Sequence, residues 1–293
     1  MKIRTKAVWS VWLVVLALGT GPRSATAQTA PPPAAPQTTQ PAPAAPQTSD
    51  PDSRLDPLQP DFNIAALPTT LRMPVHKLAF RVTHRFTRPL GRGDFSDLLS
   101  DFFGFDSGAR IGLELRYGLL PGTQIIFHRM SDRTIQIAGQ QNLWQQKPDG
   151  RPLSIDVIAT LEGQNNLRGQ KSSALGLLLS RKVAKVAAVY AEPMFIVNSN
   201  PAATGDNNTA MIGLGTRIRI RPATYLIGEV TPRLSGYKPG VAQGSFGIEM
   251  RAGGHTFQIN VSNGLSTTLG QLTNSGISSD TWMIGFNISR KFF

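Results

Sequence analysis

Residues 209–221 read TAMIGLGTRIRIR, and their two parities are chemically opposite. Ile212, Leu214, Ile218 and Ile220 fall on one, and Gly213, Gly215, Arg217, Arg219 and Arg221 on the other. Successive side chains of a strand point to opposite faces, so the segment predicts a strand with one oily face and one cationic face. Similar alternation recurs in most of the candidate strands, the pattern of a sheet with a nonpolar exterior and a wet interior. The fold class that follows is all-β: a transmembrane antiparallel up-and-down β-barrel of about 12 strands.

Working outward, Leu78, Phe80 and Val82 oppose Lys77, Arg81, Thr83 and Arg85 in a first strand over 77–86. In the next, over 109–119, Ile111, Leu113, Leu115 and Tyr117 oppose Arg110, Gly112, Glu114 and Arg116. Further strands are predicted at 123–130, 133–140, 153–161, 174–182, 185–195, 209–221, 224–233, 245–251, 256–262 and 282–292. An even number lets both ends of the barrel chain lie on one side of the membrane. Short links near Pro121, at Val183-Ala184, Pro222-Ala223 and Gly253-Gly254 contrast with long ones at 87–108, 162–173, 196–208, 234–244 and 263–280. The short set is expected on the periplasmic side and the long set outside. The link 141–152 is too long for its set and the break at Ser131-Asp132 too short, so the third and fourth strands are the least firmly placed. Within 94–107, Phe95, Leu98, Leu99 and Phe102 have helical spacing behind Asp94, which suits an N-cap. This short amphipathic helix is expected either to plug the lumen or to lie at the membrane surface.

The domain organisation expected is a signal peptide at 1–27, a Pro/Ala/Gln-rich disordered linker at 28–66 and an outer-membrane barrel at 67–293. Lys2, Arg4 and Lys6 precede the apolar run Val8 to Leu18, and Ala25-Thr26-Ala27 offers a small-residue cleavage site. That run is too short to span a bilayer, and no later stretch has eighteen apolar residues in succession. The linker, with runs such as APPPAAPQTTQPAPAAPQT, has little with which to form a core. The sequence contains no cysteine, which excludes disulfides, Cys-type zinc sites and an N-terminal lipid anchor on Cys. Net charge is +12, and removal of residues 1–27, with four cations and no acid, leaves +8. For a basic exported chain, anionic lipopolysaccharide or an anionic solute is a suitable partner and nucleic acid is not. The location expected is the bacterial outer membrane, with its lipid and the barrel-insertion machinery as partners.

Several strings resemble a family of exported bacterial membrane-bound β-barrel proteins catalogued as a domain of unknown function. They are His84-Arg85-Phe86, the run Phe103 to Ala109 (FGFDSGA), Arg116-Tyr117-Gly118, Gly253 to Gln258 (GGHTFQ) and Phe286 to Arg290 (FNISR). The resemblance runs from about Leu67 to Phe293. It implies a membrane-bound barrel and no particular activity. Phe292 and Phe293 are candidates for a terminal membrane-insertion signal. Phe292 is in register with Trp282, Ile284, Phe286 and Ile288, whereas Phe293 falls on the opposite parity.

Candidate lumen and selectivity residues are the charges of the polar parity: Arg81, Arg85, Arg110, Glu114, Arg116, Asp156, Glu192, Arg217, Arg219, Arg221, Glu229, Glu249 and Arg251. Rings of such charges select ions, and an excess of cations favours anions. The same charges are equally suited to pairing with one another and stiffening a narrow lumen. His76, His84, His128 and His255 form neither a His-x-x-x-His nor a His-Glu-x-x-His spacing, and no Gly-x-Ser-x-Gly accompanies them. The expectation is therefore no enzyme, no cofactor and no metal; Asp206-Asn207-Asn208 suits an exposed turn better than a calcium loop. Trp144, Tyr117, Tyr225, Tyr237, Trp282 and Phe292 suit interfacial girdles at strand ends. The functional expectation is a passive channel or uptake pore for a small solute, with anions one candidate class. The alternatives are a non-conducting barrel that docks a partner, a lipid hydrolase on the outer rim, and a soluble secreted β-sandwich.

Overall fold

The structure, a computed structural model, describes residues 56–148, 150–202 and 205–293. The signal expected at 1–27 and residues 28–55 of the expected linker lie outside the described residues. The remainder is a closed antiparallel barrel whose wall has twelve positions. In chain order its strands are β1 (Leu78–Phe86), β2 (Ala109–Leu120), β3 (Thr123–Met130), β4 (Ile135–Trp144), β5 (Ser154–Gly163), β6 (Lys171–Val183), β7 (Ala187–Val197), β8 (Thr209–Arg221), β9 (Thr224–Thr231), β10 (Arg233–Gly236), β11 (Gln243–Ala252), β12 (His255–Ser262) and β13 (Met283–Phe292). Each strand pairs with the next except around β10, a short continuation of β9 beyond Pro232 that also pairs with β8. The ring closes between β1 and β13, where Leu78 lies opposite Phe292 and Val82 opposite Ile288. Closure satisfies the backbone groups that an open sheet edge would strand in hydrocarbon, so a barrel can cross a membrane where an open sheet cannot.

All twelve predicted strands are present, and the two least firmly placed, β3 and β4, pair in register from Thr123 with Gln141 to Arg129 with Ile135. Most of the links also sort as expected; the exceptions are the short link 131–134 at the loop end and the longer link 145–153 at the turn end. The ends of β1 and β13 share one end of the barrel with the short turns, called here the turn end. The link between β11 and β12 is Gly253-Gly254, with φ of 55° and 78°, the left-handed geometry that closes a two-residue hairpin without splaying its strands. Pro193 in β7 has no N–H to give, and the β6–β7 register has no pairs between Gly176↔Met194 and Leu179↔Ala191.

Outward positions carry Leu113, Leu115, Leu175, Leu177, Leu214, Ile218, Phe246, Ile248, Phe257 and Ile259, all exposed. In water such a surface would aggregate; facing lipid, it is what the solvent requires. The oily rows therefore look outward, and the water-soluble sandwich is set aside.

The interior departs from the expectation of a wet lumen in two ways. Inward residues of β5 to β9 include Ile158, Leu178, Met194, Ile196, Met211 and Ile227, which form an apolar patch. Two inserts cover it. One is the chain from Asp56 to Met73, which enters at the turn end and doubles back through the antiparallel bridge Asn63↔Pro68 before joining β1. The expected linker at 28–66 thus differs from what is found: its described part, 56–66, is largely buried, with Ile64 and Ala65 fully so. The cause is visible in composition, because DFNIAALPTTLRM supplies Phe62, Ile64, Leu67, Leu71 and Met73 where the preceding Pro-rich run has no large apolar side chain. The second insert is the link 263–282, whose one-turn helix Leu269–Leu272 packs Leu269 and Leu272 against the same patch.

The helix expected within 94–107 is α1 (Phe95–Ser100), capped by Asp94, whose side chain accepts from the Asp97 N–H. It does not plug the lumen. Phe95, Leu99, Phe102 and Phe105 are exposed, and Phe105 packs on Phe86 with ring centroids 4.6 Å apart.

A candidate functional site inside the barrel

The side chains that meet the first insert come from strands far apart in sequence. Glu229 on β9 accepts from three consecutive backbone N–H groups: Ala65 at 2.9 Å, Ala66 at 2.9 and 3.0 Å, and Leu67 at 3.0 Å. Carbonyls of the same segment are held as well. Asn63 O accepts from Arg217 on β8 at 2.8 Å, and Ile64 O from Gln258 on β12 at 2.7 Å. Ala65 O accepts from Arg81, from Arg85 at 3.4 Å and from Asn287 at 3.1 Å. Ala65 therefore lies between Glu229 on β9, which takes its N–H, and Arg81 and Arg85 on β1 with Asn287 on β13, which converge on its carbonyl oxygen. Fixed opposing charges of this kind hold an oriented dipole without reorganisation, and the dry interior strengthens the effect.

The charges are also tied to one another. Arg217 pairs with Glu249 at 2.9 Å, both side chains fully buried. Glu114 lies 3.0 Å from Arg116 and 3.7 Å from Arg81. Arg116 also donates to Gln140 and to the Asn63 side chain, and its guanidinium lies 5.1 Å from the centre of the Phe62 ring. Asp156 accepts from Gln140 and Asn142 at 2.7 and 2.5 Å. Glu192 is fully buried, and neither oxygen has a hydrogen-bond partner among the described residues.

On the insert itself, Asp61 accepts from Ser289 at 2.9 Å and pairs with Lys291 at 3.3 Å. Burial alone would raise its pKa, but Lys291, Arg81 and Arg217 outweigh burial and hold the carboxyl below its ordinary value. Room for the insert comes from β8, where a Cβ at Gly213 would lie 2.8 Å from Leu67, and Gly215 faces Ile64 in the same way. Near the turn end, Tyr225 donates to Pro57 O at 2.8 Å, Gln59 to Ser180 at 3.2 Å, and Lys182 pairs with Asp56 at 2.8 Å. Phe62, Leu71, Met73 and Ala79 form a second apolar cluster on which Phe293 rests.

At the loop end the second insert is bonded as closely. Gly270 N–H donates to Glu162 at 3.1 Å, Arg233 to Thr273 O at 2.8 Å and Asn274 to Ser199 O at 3.0 Å. Thr267 lies 3.4 Å from Thr83 and 3.5 Å from His128.

Of the charges predicted to line the lumen, Arg81, Arg85, Glu114, Arg116, Asp156, Glu192, Arg217, Glu229 and Glu249 are buried inside it. The others sit at the rims. Arg110 pairs with Asp132 at 3.5 Å at the loop end, Arg219 donates to Pro222 O at 3.0 Å at the turn end, and Arg221 and Arg251 flank the same end of β8 and β11. Lys291, Gln258 and Asn287 were not singled out by charge patterning. They occupy the inward parity of β12 and β13, and that parity was the available signal. The girdle assignment fails for Tyr225, which points inward and is fully buried, because its parity on β9 is that of Ile227 and Glu229. Tyr117, Trp144 and Phe292 are exposed on the outer face.

The histidines take separate places: His76 beside Tyr117 OH at 3.0 Å, His84 stacked on Phe286 at 4.7 Å, His128 beside Glu114 at 3.9 Å and His255 beside Arg290 at 2.8 Å. Asn207 and Asn208 cap their loop, accepting from the Asn200 and Asn198 N–H groups.

Comparison with solved structures agrees with this architecture. The COG4313 outer membrane channel from Pseudomonas putida F1 superposes with a TM-score of 0.50 at 10% identity, over 75% of this chain and 97% of that one. A KdgM porin (TM-score 0.48, 7% identity) and a NanC porin (0.48, 10%) each match over 74% of this chain and 99% of their own. At such identities the likeness is one of fold. No curated protein matches by sequence. Residues 61–292 match the family model described as a membrane bound beta barrel domain (DUF5777), a span that takes in the first insert's turn as well as the wall. The chain belongs to that family.

Proposed function

We propose that the protein is a bacterial outer-membrane channel for small charged solutes, held shut by its two inserts. On this reading the turn end faces the periplasm and 56–73 is a removable plug. The observation that carries it is the plug's attachment. The hairpin is joined to the wall covalently only at β1, and it is held elsewhere by hydrogen bonds, by the Asp56–Lys182 and Asp61–Lys291 ion pairs and by apolar contacts. No strand has to cross another for it to withdraw. The wall it would uncover carries Arg81, Arg85, Arg116, Arg217 and Lys291 together with Glu114, Glu192, Glu229 and Glu249, which supports passage of charged species. Because most of these cations are paired with wall carboxylates, the pattern gives less support to anions alone than the count of arginines does.

The test is planar-bilayer recording of the full chain beside a variant carrying Ile64→Asp, Leu67→Asp and Gly270→Val, which unseats both inserts. The expected outcome is rare openings in the natural chain and sustained conductance in the variant. Silence of a folded variant whose plug amides exchange freely with solvent would remove the channel. It would favour the second reading, a non-conducting docking barrel, which draws its support from the occupied lumen.

A further inference from the structure

We infer that the place occupied by Ala65 is a binding subsite for an α-amino acid zwitterion, the carried solute class of the channel proposed above, on which the inference rests. The residue is read at both ends. Its N–H is taken by Glu229 at 2.9 Å, while its carbonyl oxygen receives Arg81, Arg85 and Asn287. Two guanidinium groups and an amide converging on one neutral carbonyl oxygen are more donors than that oxygen needs. They match the two oxygens of a carboxylate, to which charge-assisted bonds are stronger and, for arginine, often bidentate.

The opposite wall has a corresponding surplus of acceptors. Glu192 on β7 is fully buried opposite Gly213 of β8, two residues from the Gly215 that pairs with Glu229, and both its oxygens are unpartnered among the described residues. Its Cβ and the Leu67 side chain flank the same glycine, Gly213. An ammonium group has three protons to give where the peptide nitrogen of Ala65 has one. A bound amine at this position would engage Glu229 and offer further N–H donors toward the Glu192 oxygens, which have no hydrogen-bond partner among the described residues.

Spacing narrows the class. The N and O atoms of a single residue lie only about 3 Å apart, so the two walls are separated by one carbon's worth of ligand plus two hydrogen bonds. An amine and a carboxylate on the same carbon fit; a longer separation requires the chain to fold back. The plug hairpin is then a tethered competitor that fills the subsite with a peptide unit, and solute and plug exclude one another.

The probes are L-alanine, propionate, ethylamine and 4-aminobutyrate, titrated calorimetrically into the full chain carrying Ile64→Asp, Leu67→Asp and Gly270→Val. L-alanine is expected to half-saturate at a concentration at least tenfold below each of the others, and Glu192→Gln or Asn287→Ala in that background should each weaken it about tenfold. Equal binding of propionate and L-alanine would reduce the subsite to an anion site and overturn the proposal, as would indifference to both substitutions. The natural chain gives a second readout that does not require the opened variant. L-alanine should speed hydrogen exchange of the Ala65 to Leu67 amides, and propionate and ethylamine should not; no acceleration by L-alanine also overturns the proposal. Conductance separates the two readings: selective L-alanine binding by a silent barrel would sink the channel and leave the subsite, whereas conductance without selectivity would do the reverse.

Discussion

Replacing Glu229 with Gln should loosen the plug while leaving the wall intact. Oε2 of Glu229 accepts from all three N–H groups of Ala65 to Leu67, and Oε1 accepts from Ala66 as well. A hydrogen bond to a charged group contributes about 1.5–3 kcal/mol and one to a neutral group about 0.5–1.5, so three donors lose roughly 3 kcal/mol when the carboxylate becomes an amide. Part of this returns, since the substitution also removes a buried charge beside Glu192. A net loss of about 1.5–3 kcal/mol corresponds to roughly a tenfold to hundredfold rise in the undocked population, at 1.4 kcal/mol per factor of ten. Hydrogen exchange followed by mass spectrometry reads it directly: the 65–67 amides should exchange faster by that factor, while amides in β6 and β7 keep their protection. Unchanged protection at 65–67, or equal acceleration across the wall, would refute the claim that Glu229 latches the plug locally.

A side chain at Gly213 claims the space of Leu67, so Gly213→Val should raise the open probability in bilayers at unchanged single-channel current. For Asp61, the folded pKa is the lower one; its contribution is complete above about pH 3.8, the ordinary value, and is lost as pH falls below that. Openings should therefore become more frequent as pH falls below about 3.8, and Asp61→Asn should abolish that rise. Deleting Phe293 removes the ring resting on Phe62, Leu71 and Met73 and should speed exchange at 61–73. Phe292→Ala, on the lipid-facing row, should instead slow insertion into liposomes followed by heat-modifiable gel mobility.

The wall was legible in the sequence because its solvent is simple. Lipid on one side forces strict alternation, and TAMIGLGTRIRIR already separates Leu214 and Ile218 from Arg217. Link lengths then divided the connections into a short and a long set, with the short break at Ser131-Asp132 and the long link 141–152 running against it. The plug was not legible. Residues 56–73 follow no period, since the insert is an irregular hairpin held by partners drawn from β1, β2, β6, β8, β9, β12 and β13, and three prolines (Pro57, Pro60 and Pro68) made it resemble the Pro-rich run before it. The apolar inward patch was obscured for a related reason: Ile158, Leu178 and Met211 interrupt the polar parity only because an insert covers them. Individual charges were found by parity, but their pairing, such as Arg217 with Glu249 or Lys291 with Asp61, depends on register across the ring and on the insert.

In the proposed channel the closed state is the one in which the hairpin 56–73 occupies the lumen. The side-chain oxygens of Thr70 on the plug and Ser180 on β6 lie 2.5 Å apart, close to the approach a disulfide requires, and the sequence contains no competing cysteine. In the full chain carrying Thr70→Cys and Ser180→Cys, oxidation should form the bridge and silence every opening in planar bilayers, and reductant should restore them. Failure of the bridge to form in folded protein, or openings that persist unchanged through oxidation, would contradict it.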